Sequence, residues 1–254
     1  MRRDDKHTIQ QNLDGQVAFI TGASSGIGRA TAHVLADDGA DVSLAARNVD
    51  ALDELAEEIE NAYGVDTVVT ETDVTDESQV ERAVDRTVER LGRLDAVVAN
   101  AGVGMDVPVA EMSTETYRAM MDVNVDGMFF TARETIPHLE ETSGTLVFLG
   151  SFSGQYPRPH NPIYAATKWW TRGFALSLEA SIGEDDIAVT TINPTEVRTQ
   201  FGDETGDPLA DEFEPGSVTE PIEVAEAISF AVRQRSPNVI SSIDIYRRDK
   251  MTHF

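Results

Sequence analysis

The stretch that most limits what this chain can become is VAFITGASSGIGRA, residues 17–30. Val17, Ala18, Phe19 and Ile20 form a short apolar run without alternation, as a parallel strand covered on both faces requires. The run stops at Gly22. From Ile27 an apolar period of three to four begins, through Ala30, Thr31, Val34 and Leu35, and Gly39 ends the helix. A strand feeding a helix through a glycine turn aims backbone N–H groups and the positive end of the helix at one point. That point favours an anion, most often a phosphate. The spacing of Gly22, Gly26 and Gly28 is Gly-x3-Gly-x-Gly, a variant of the more common Gly-x-Gly-x-x-Gly. On this stretch alone a βα turn with nothing bound remains open.

The same alternation continues to the end of the chain. Strands are expected at 41–46, 67–71, 94–99, 144–150, 187–192 and 239–245. Helices are expected at 51–63, 76–92, 114–139, 163–182 and 221–234. Strands alternating with helices predict an α/β fold: a single-domain, doubly wound, seven-stranded parallel sheet of the Rossmann type with helices on both faces. Residues 1–12 read as a polar N-terminal arm. Residues 13–254 read as the nucleotide-binding domain, including a loop at 195–217 placed to meet substrate.

Charge narrows the partners. Asp and Glu number 45 against 20 Lys and Arg, a net charge of −25, and Lys6, Lys168 and Lys250 are the three lysines. Such a chain suits neither nucleic acid nor an anionic membrane. It lacks a run of about 18 apolar residues for a membrane span, and with no cysteine it has no thiolate chemistry. The acids interleave with apolar positions along the whole length, so they belong to a folded surface. A surface of one sign repels itself at low salt and is screened at high salt. We read this as adaptation to a halophilic, salty cytoplasm. An acidic face for a basic partner is the competing reading.

Ligands of a doubly wound sheet sit at the carboxyl ends of its strands. There stand Asp73-Val74, Asn100-Ala101-Gly102 and Gly150-Ser151. Tyr164 and Lys168 open the long helix that follows, with Asn161 placed to cap it and Pro162 at its first position. Tyr164 and Lys168 are i and i+4 and share a face. An ammonium beside a phenol favours phenolate and lowers a pKa that begins near 10. Alone, this pair is equally readable as a solvated helix pair.

Taken together, Thr21-Gly22-x3-Gly26-x-Gly28, Asn100-Ala101-Gly102, Asn124, Ser151 and Tyr164-x3-Lys168 fall in order on the βα pattern, with Ser151 and Tyr164 thirteen residues apart. The chain thereby resembles the short-chain dehydrogenase/reductase family in its compact form, from about Leu13 to Ile245. The resemblance implies carbonyl–alcohol interconversion with a nicotinamide cofactor. It implies Tyr164 as general acid/base, Lys168 binding the nicotinamide ribose and lowering the Tyr164 pKa, Ser151 holding the substrate oxygen, and Asn124 positioning a water in the proton relay. It implies cofactor contacts from Thr21, Gly22, Ser24, Ser25, Gly26, Ile27, Gly28, Asp73, Val74, Asn100, Ala101, Gly102, Tyr164, Lys168, Pro194, Val197 and Thr199. No metal is implied. A homotetramer is implied, and adjacent Trp169 and Trp170, about 100° apart on a helix, leave one face to meet another subunit. The chain departs from the family at Thr195, where glycine usually follows the proline.

The second strand ends Ala45-Ala46-Arg47. An acid that would accept from the ribose 2′-OH of NAD is missing at Ala46, and Arg47 can clamp a 2′-phosphate, with Arg29 and Ser25 nearby. NADP(H) is therefore expected over NAD(H). Phe152, Tyr156 and Phe201, with Ser151, are the expected substrate contacts. An apolar throat under an acidic lid (Asp203, Glu204, Asp207, Asp211, Glu212, Glu214) suits a small neutral carbonyl or alcohol better than an acyl group on an acidic carrier. Two alternatives stand beside this reading: a cofactor-sensing binding protein without turnover, and an epimerase or dehydratase, which would need a larger C-terminal region.

Overall fold

The computed structural model describes residues 12–202 and 208–253. The arm up to residue 11 and the lid acids Asp203, Glu204 and Asp207 lie outside the described residues. Seven parallel strands form one sheet in the order β3-β2-β1-β4-β5-β6-β7. They are β1 Val17–Thr21, β2 Asp41–Ala46, β3 Thr67–Glu71, β4 Ala96–Ala99, β5 Thr145–Leu149, β6 Ala188–Pro194 and β7 Ser242–Ile245. The order reverses between β1 and β4, which opens a crevice at their carboxyl ends.

The central strands are apolar on both faces because both are covered. On one face Ile20, Leu44 and Val98 meet α1 (Gly26–Asp37), α2 (Val49–Tyr63) and α8 (Pro221–Val232), through Leu35, Leu52, Leu55, Ile59, Val224 and Ile228. On the other, Phe19, Val97 and Phe148 meet α3 (Glu77–Leu91), α5 (Gly127–Thr142) and α6 (Pro162–Ile182), through Val84, Met128, Leu139 and Ala175. Buried Asp95 ties the strand bottoms: its carboxylate accepts from Val17 N at 2.9 Å and pairs with Arg93 at 2.6 Å.

The sequence implies one helix over 114–139. The chain instead forms α4 (Thr114–Met121), a π-helical turn at Asp122–Asp126, and then α5. The wide turn follows from tertiary partners. The Asn124 side chain, fully buried, accepts from Val103 N at 2.9 Å and donates to Val103 O at 2.8 Å and Thr167 Oγ1 at 3.1 Å. A single helical turn, α7 (Leu209–Glu212), appears within the expected substrate loop.

Candidate active site

A cleft of about 1070 Å³ runs along the carboxyl ends of the strands. At one end is the glycine turn. Gly22 takes φ +65°, and a Cβ there would stand 2.8 Å from Asn100 Nδ2 and 3.0 Å from Ala101 Cα. A Cβ on Gly28 would stand 2.2 Å from Gly22 O, so glycine at 28 is what lets α1 start against the turn. Asn100 holds the turn by donating to Thr21 O at 2.9 Å and Gly22 O at 3.2 Å. Thr21 Oγ1 accepts from Asn100 N at 3.0 Å.

The start of α1 carries no side-chain cap, since Ser25 makes no cap bond, and its first turn holds no acid. By contrast, Asn48 caps α2 and Asp76 caps α3. First-turn N–H groups left without a protein acceptor, at a cleft lined by Gly22, Ser24, Ser25, Gly26 and Ile27, suit a bound phosphate. Further along, Arg47, Asp73, Val74, Asn100, Ala101, Gly102, Pro194, Val197 and Thr199 line the same cleft. Arg47 is exposed and, among the described residues, makes no salt bridge. Arg29 is engaged by Glu58 at 2.5 Å and does not line the cleft.

Ser151, Tyr164 and Lys168 meet at the other end. Ser151 follows β5 and accepts from Ser153 N at 3.0 Å, which leaves its hydroxyl proton to donate. Asn161 caps α6 by accepting from Tyr164 N at 3.3 Å, which fixes the tyrosine in the first turn. Burial pushes the Tyr164 phenol above its usual value. A hydrogen bond from Ser151 and the Arg158 charge draw it back in part. Lys168 is 4% exposed, and burial pushes its pKa down to about 8. Its ammonium donates to Leu149 O at 2.8 Å and stands 5.7 Å from the centre of the Tyr164 ring. Lys168 remains placed against the same ring, beside the Ser151 and Arg158 contributions.

Several expected residues stand behind the cleft. Thr21 and Gly28 hold the glycine turn from below. Asn124 has its side chain committed to Val103 and Thr167, not to the cleft. Tyr156, expected as a substrate contact, stacks on Phe152 at 4.5 Å, and Phe152 lines the cleft. Phe201 does face it, 5.6 Å from the Tyr164 ring. Thr195 needs no glycine. Among the described residues Ser143 and Asp186 are the non-glycines with positive φ, and Thr195 instead continues pairing to Ile245 O at 3.0 Å and accepts from Arg247 N at 3.2 Å. Sequence reasoning missed Arg158, Glu196 and Lys250, which also line the cleft. The signal was there for Lys250 in the scarcity of lysine, and for Arg158 in its place between Ser151 and Tyr164.

A sequence profile described as short chain dehydrogenase matches residues 16–209. The chain belongs to the short-chain dehydrogenase family. The glycine betaine reductase ATRR of Emericella nidulans is 35% identical to this dehydrogenase over 243 residues, 94% of this chain but 19% of the fungal protein, so the chain spans about a fifth of that relative. An alcohol dehydrogenase of the archaeon Thermococcus sibiricus, solved with 5-hydroxy-NADP, is 31% identical, with a TM-score of 0.84 covering 91% of this chain and 95% of the other. A 3-ketoacyl-(acyl-carrier-protein) reductase of Brucella melitensis, solved with NADH, is 27% identical, with a TM-score of 0.82 covering 92% and 98%. This short-chain dehydrogenase is accordingly an oxidoreductase of the nicotinamide-dependent kind. No helix among its described residues is long and apolar enough to cross a membrane.

Proposed function

We propose that this dehydrogenase interconverts a small carbonyl compound and its alcohol with NADP(H), and that Tyr164 moves the proton. The observation that carries this reading is the meeting of Ser151, Tyr164 and Lys168 in the same cleft as the uncapped start of α1. The nicotinamide, when bound, supplies or accepts the hydride. The protein's own part is positional and acid–base. Ser151 donates to the substrate oxygen. Tyr164, a phenol and so protonated at neutral pH, gives its hydroxyl proton to that oxygen in reduction and recovers one in oxidation. Lys168, held on the Leu149 carbonyl, offers its remaining protons to the ribose hydroxyls of the cofactor. Asn124 acts as a positioning residue that fastens the loop after β4 through Val103.

Tyr164→Phe keeps the ring packing and removes only the proton. Turnover is expected to fall at least a hundredfold while NADPH still binds with near wild-type affinity. A variant keeping more than a tenth of wild-type kcat would remove Tyr164 from this role.

Preference for NADP(H) rests on Arg47, an exposed guanidinium at the cleft with no carboxylate partner among the described residues, beside Ala46 where an acid would select NAD. The double change Ala46→Asp with Arg47→Ala is expected to swing the NADP/NAD ratio of kcat/KM by more than tenfold. A wild type that already favours NAD(H) would overturn the preference. A homotetramer in a salty cytoplasm completes the reading, supported by the exposed apolar side chains of α5, α6 and α8 and by the acidic surface.

A further inference from the structure

Beyond Tyr164 the cleft wall carries two cations, Arg158 and Lys250. They differ in their partners. Lys250 forms a salt bridge with Glu196 and stands 5.2 Å from the centre of the Phe152 ring, so that ammonium is already neutralised. Arg158 is half-buried and has no carboxylate within 4.0 Å among the described residues. It sits between Pro157 and Pro159, each with a fixed φ. Its carbonyl accepts from Asn161 N at 3.2 Å, and Asn161 caps Tyr164 N. The turn that presents Arg158 is therefore fastened to the turn that presents Tyr164. Arg158, Tyr164 and Glu196 line the same cleft, and the guanidinium charge favours the ionised form of both.

Lys168 lies below Tyr164 on the Leu149 carbonyl, and the other charges lining this end are acids. Glu196 is engaged by Lys250, while Asp106 and Glu212 are exposed at the rim, where water screens them. In a chain with 45 acids and 20 cations, a half-buried arginine lining a cleft with no carboxylate within 4.0 Å among the described residues stands out from its surroundings. A guanidinium stripped of part of its water needs an anion, and its planar fork matches a carboxylate through two parallel bonds.

We propose that the substrate carries a carboxylate, received by Arg158, so that the chain interconverts an oxo acid and a hydroxy acid. This rests on the oxidoreductase reading above. It replaces the neutral substrate expected from the sequence, since Phe152 and Phe201 line the cleft as expected but Arg158 lines it as well. The carboxylate itself is unchanged in the reaction, and the balance of hydride and proton is that of the carbonyl alone.

The test uses three acids paired with their methyl esters and graded in the distance from ketone to carboxylate: phenylglyoxylate, acetoacetate and 4-oxopentanoate. With wild type, at one fixed salt concentration, at least one acid is expected to exceed its ester tenfold or more in kcat/KM. In Arg158→Gln that acid-to-ester ratio is expected to collapse toward one. The ratio is the readout because Arg158 also acts on Tyr164, and a change in proton transfer falls on both members of a pair. Binding is measured separately, by calorimetry on the NADPH-saturated Tyr164→Phe variant with and without Arg158→Gln. Acid-selective binding that Arg158→Gln removes upholds the inference even if nothing is turned over, and in that case the redox reading fails instead. Esters that match their acids in both turnover and binding would overturn it, as would a ratio that survives Arg158→Gln.

Discussion

At Tyr164 and Lys168 burial acts on both groups and moves them in opposite directions. The phenol is held protonated and the ammonium is pushed down to about 8. For Lys168 this carries a stability consequence. Below about pH 8 the folded lysine is charged and its burial penalty is present in full. Between about 8 and 10.5 the folded lysine is neutral while the unfolded chain still holds the proton, so stability rises with pH, by roughly 1.4 kcal/mol per unit. Lys168→Met removes the titration. The unfolding free energy of cofactor-free wild type, taken relative to Lys168→Met, is therefore expected to climb by about 1–3 kcal/mol from pH 8 to 10. A difference that stays constant across that range would show that the lysine does not titrate there. Tyr164 and Lys168 were legible because their spacing is local. Arg158 and Lys250 were not, because their value depends on which acids stand near them, and Lys250 reaches the cleft from more than eighty residues beyond Tyr164.

The first βα unit was legible because each of its parts is written locally: an apolar strand, a glycine turn, a periodic helix. The structure adds how tightly it closes. A methyl group at position 28 would meet Gly22 O, a backbone atom, at 2.2 Å and the Asn100 side chain at 2.7 Å. Gly28→Ala is thus expected to lower stability by about 1–3 kcal/mol and to weaken NADPH binding at least tenfold, because α1 must move off the turn. Unchanged binding in titration would mean that α1 can shift without disturbing its first-turn N–H groups. The π-helical turn at Asp122–Asp126 was not legible. Nothing in Met121-Asp122-Val123-Asn124-Val125 departs from a helical period, and the widening is imposed by Val103 and Thr167, which are remote in sequence. Thr195 likewise read as a departure, because its two partners, Ile245 and Arg247, come from the far end of the chain.

Across the whole molecule two surface properties matter. Net charge of −25 is expected to make thermal midpoints rise with KCl into the molar range, where the screening length falls to about 3 Å; midpoints flat from low to molar salt would reject that reading. The second property is apolar. Trp170 stacks on Phe174 at 4.7 Å, and Phe174 meets Phe129 at 6.4 Å, while Trp169 stays 48% exposed and Phe129 40%. Ile222 and Phe230 are exposed on α8. Two separate apolar faces suit a closed assembly with two kinds of contact. Light scattering in high salt is expected to report a tetramer for wild type and a smaller species for Phe129→Glu. A monomeric wild type would remove the assembly altogether.

The 3-10 turn at Lys250–His253 lies against the reacting end of the cleft, joined there through Lys250 and Glu196. The residues proposed for proton transfer and phosphate recognition lie on other segments, before residue 170 in the sequence. Substitutions at 246–253 can therefore alter which molecules are accepted while the proposed proton-transfer residues are left in place. In directed evolution, randomising positions 246–253 should broaden or redirect the accepted molecules at little risk to the reaction itself.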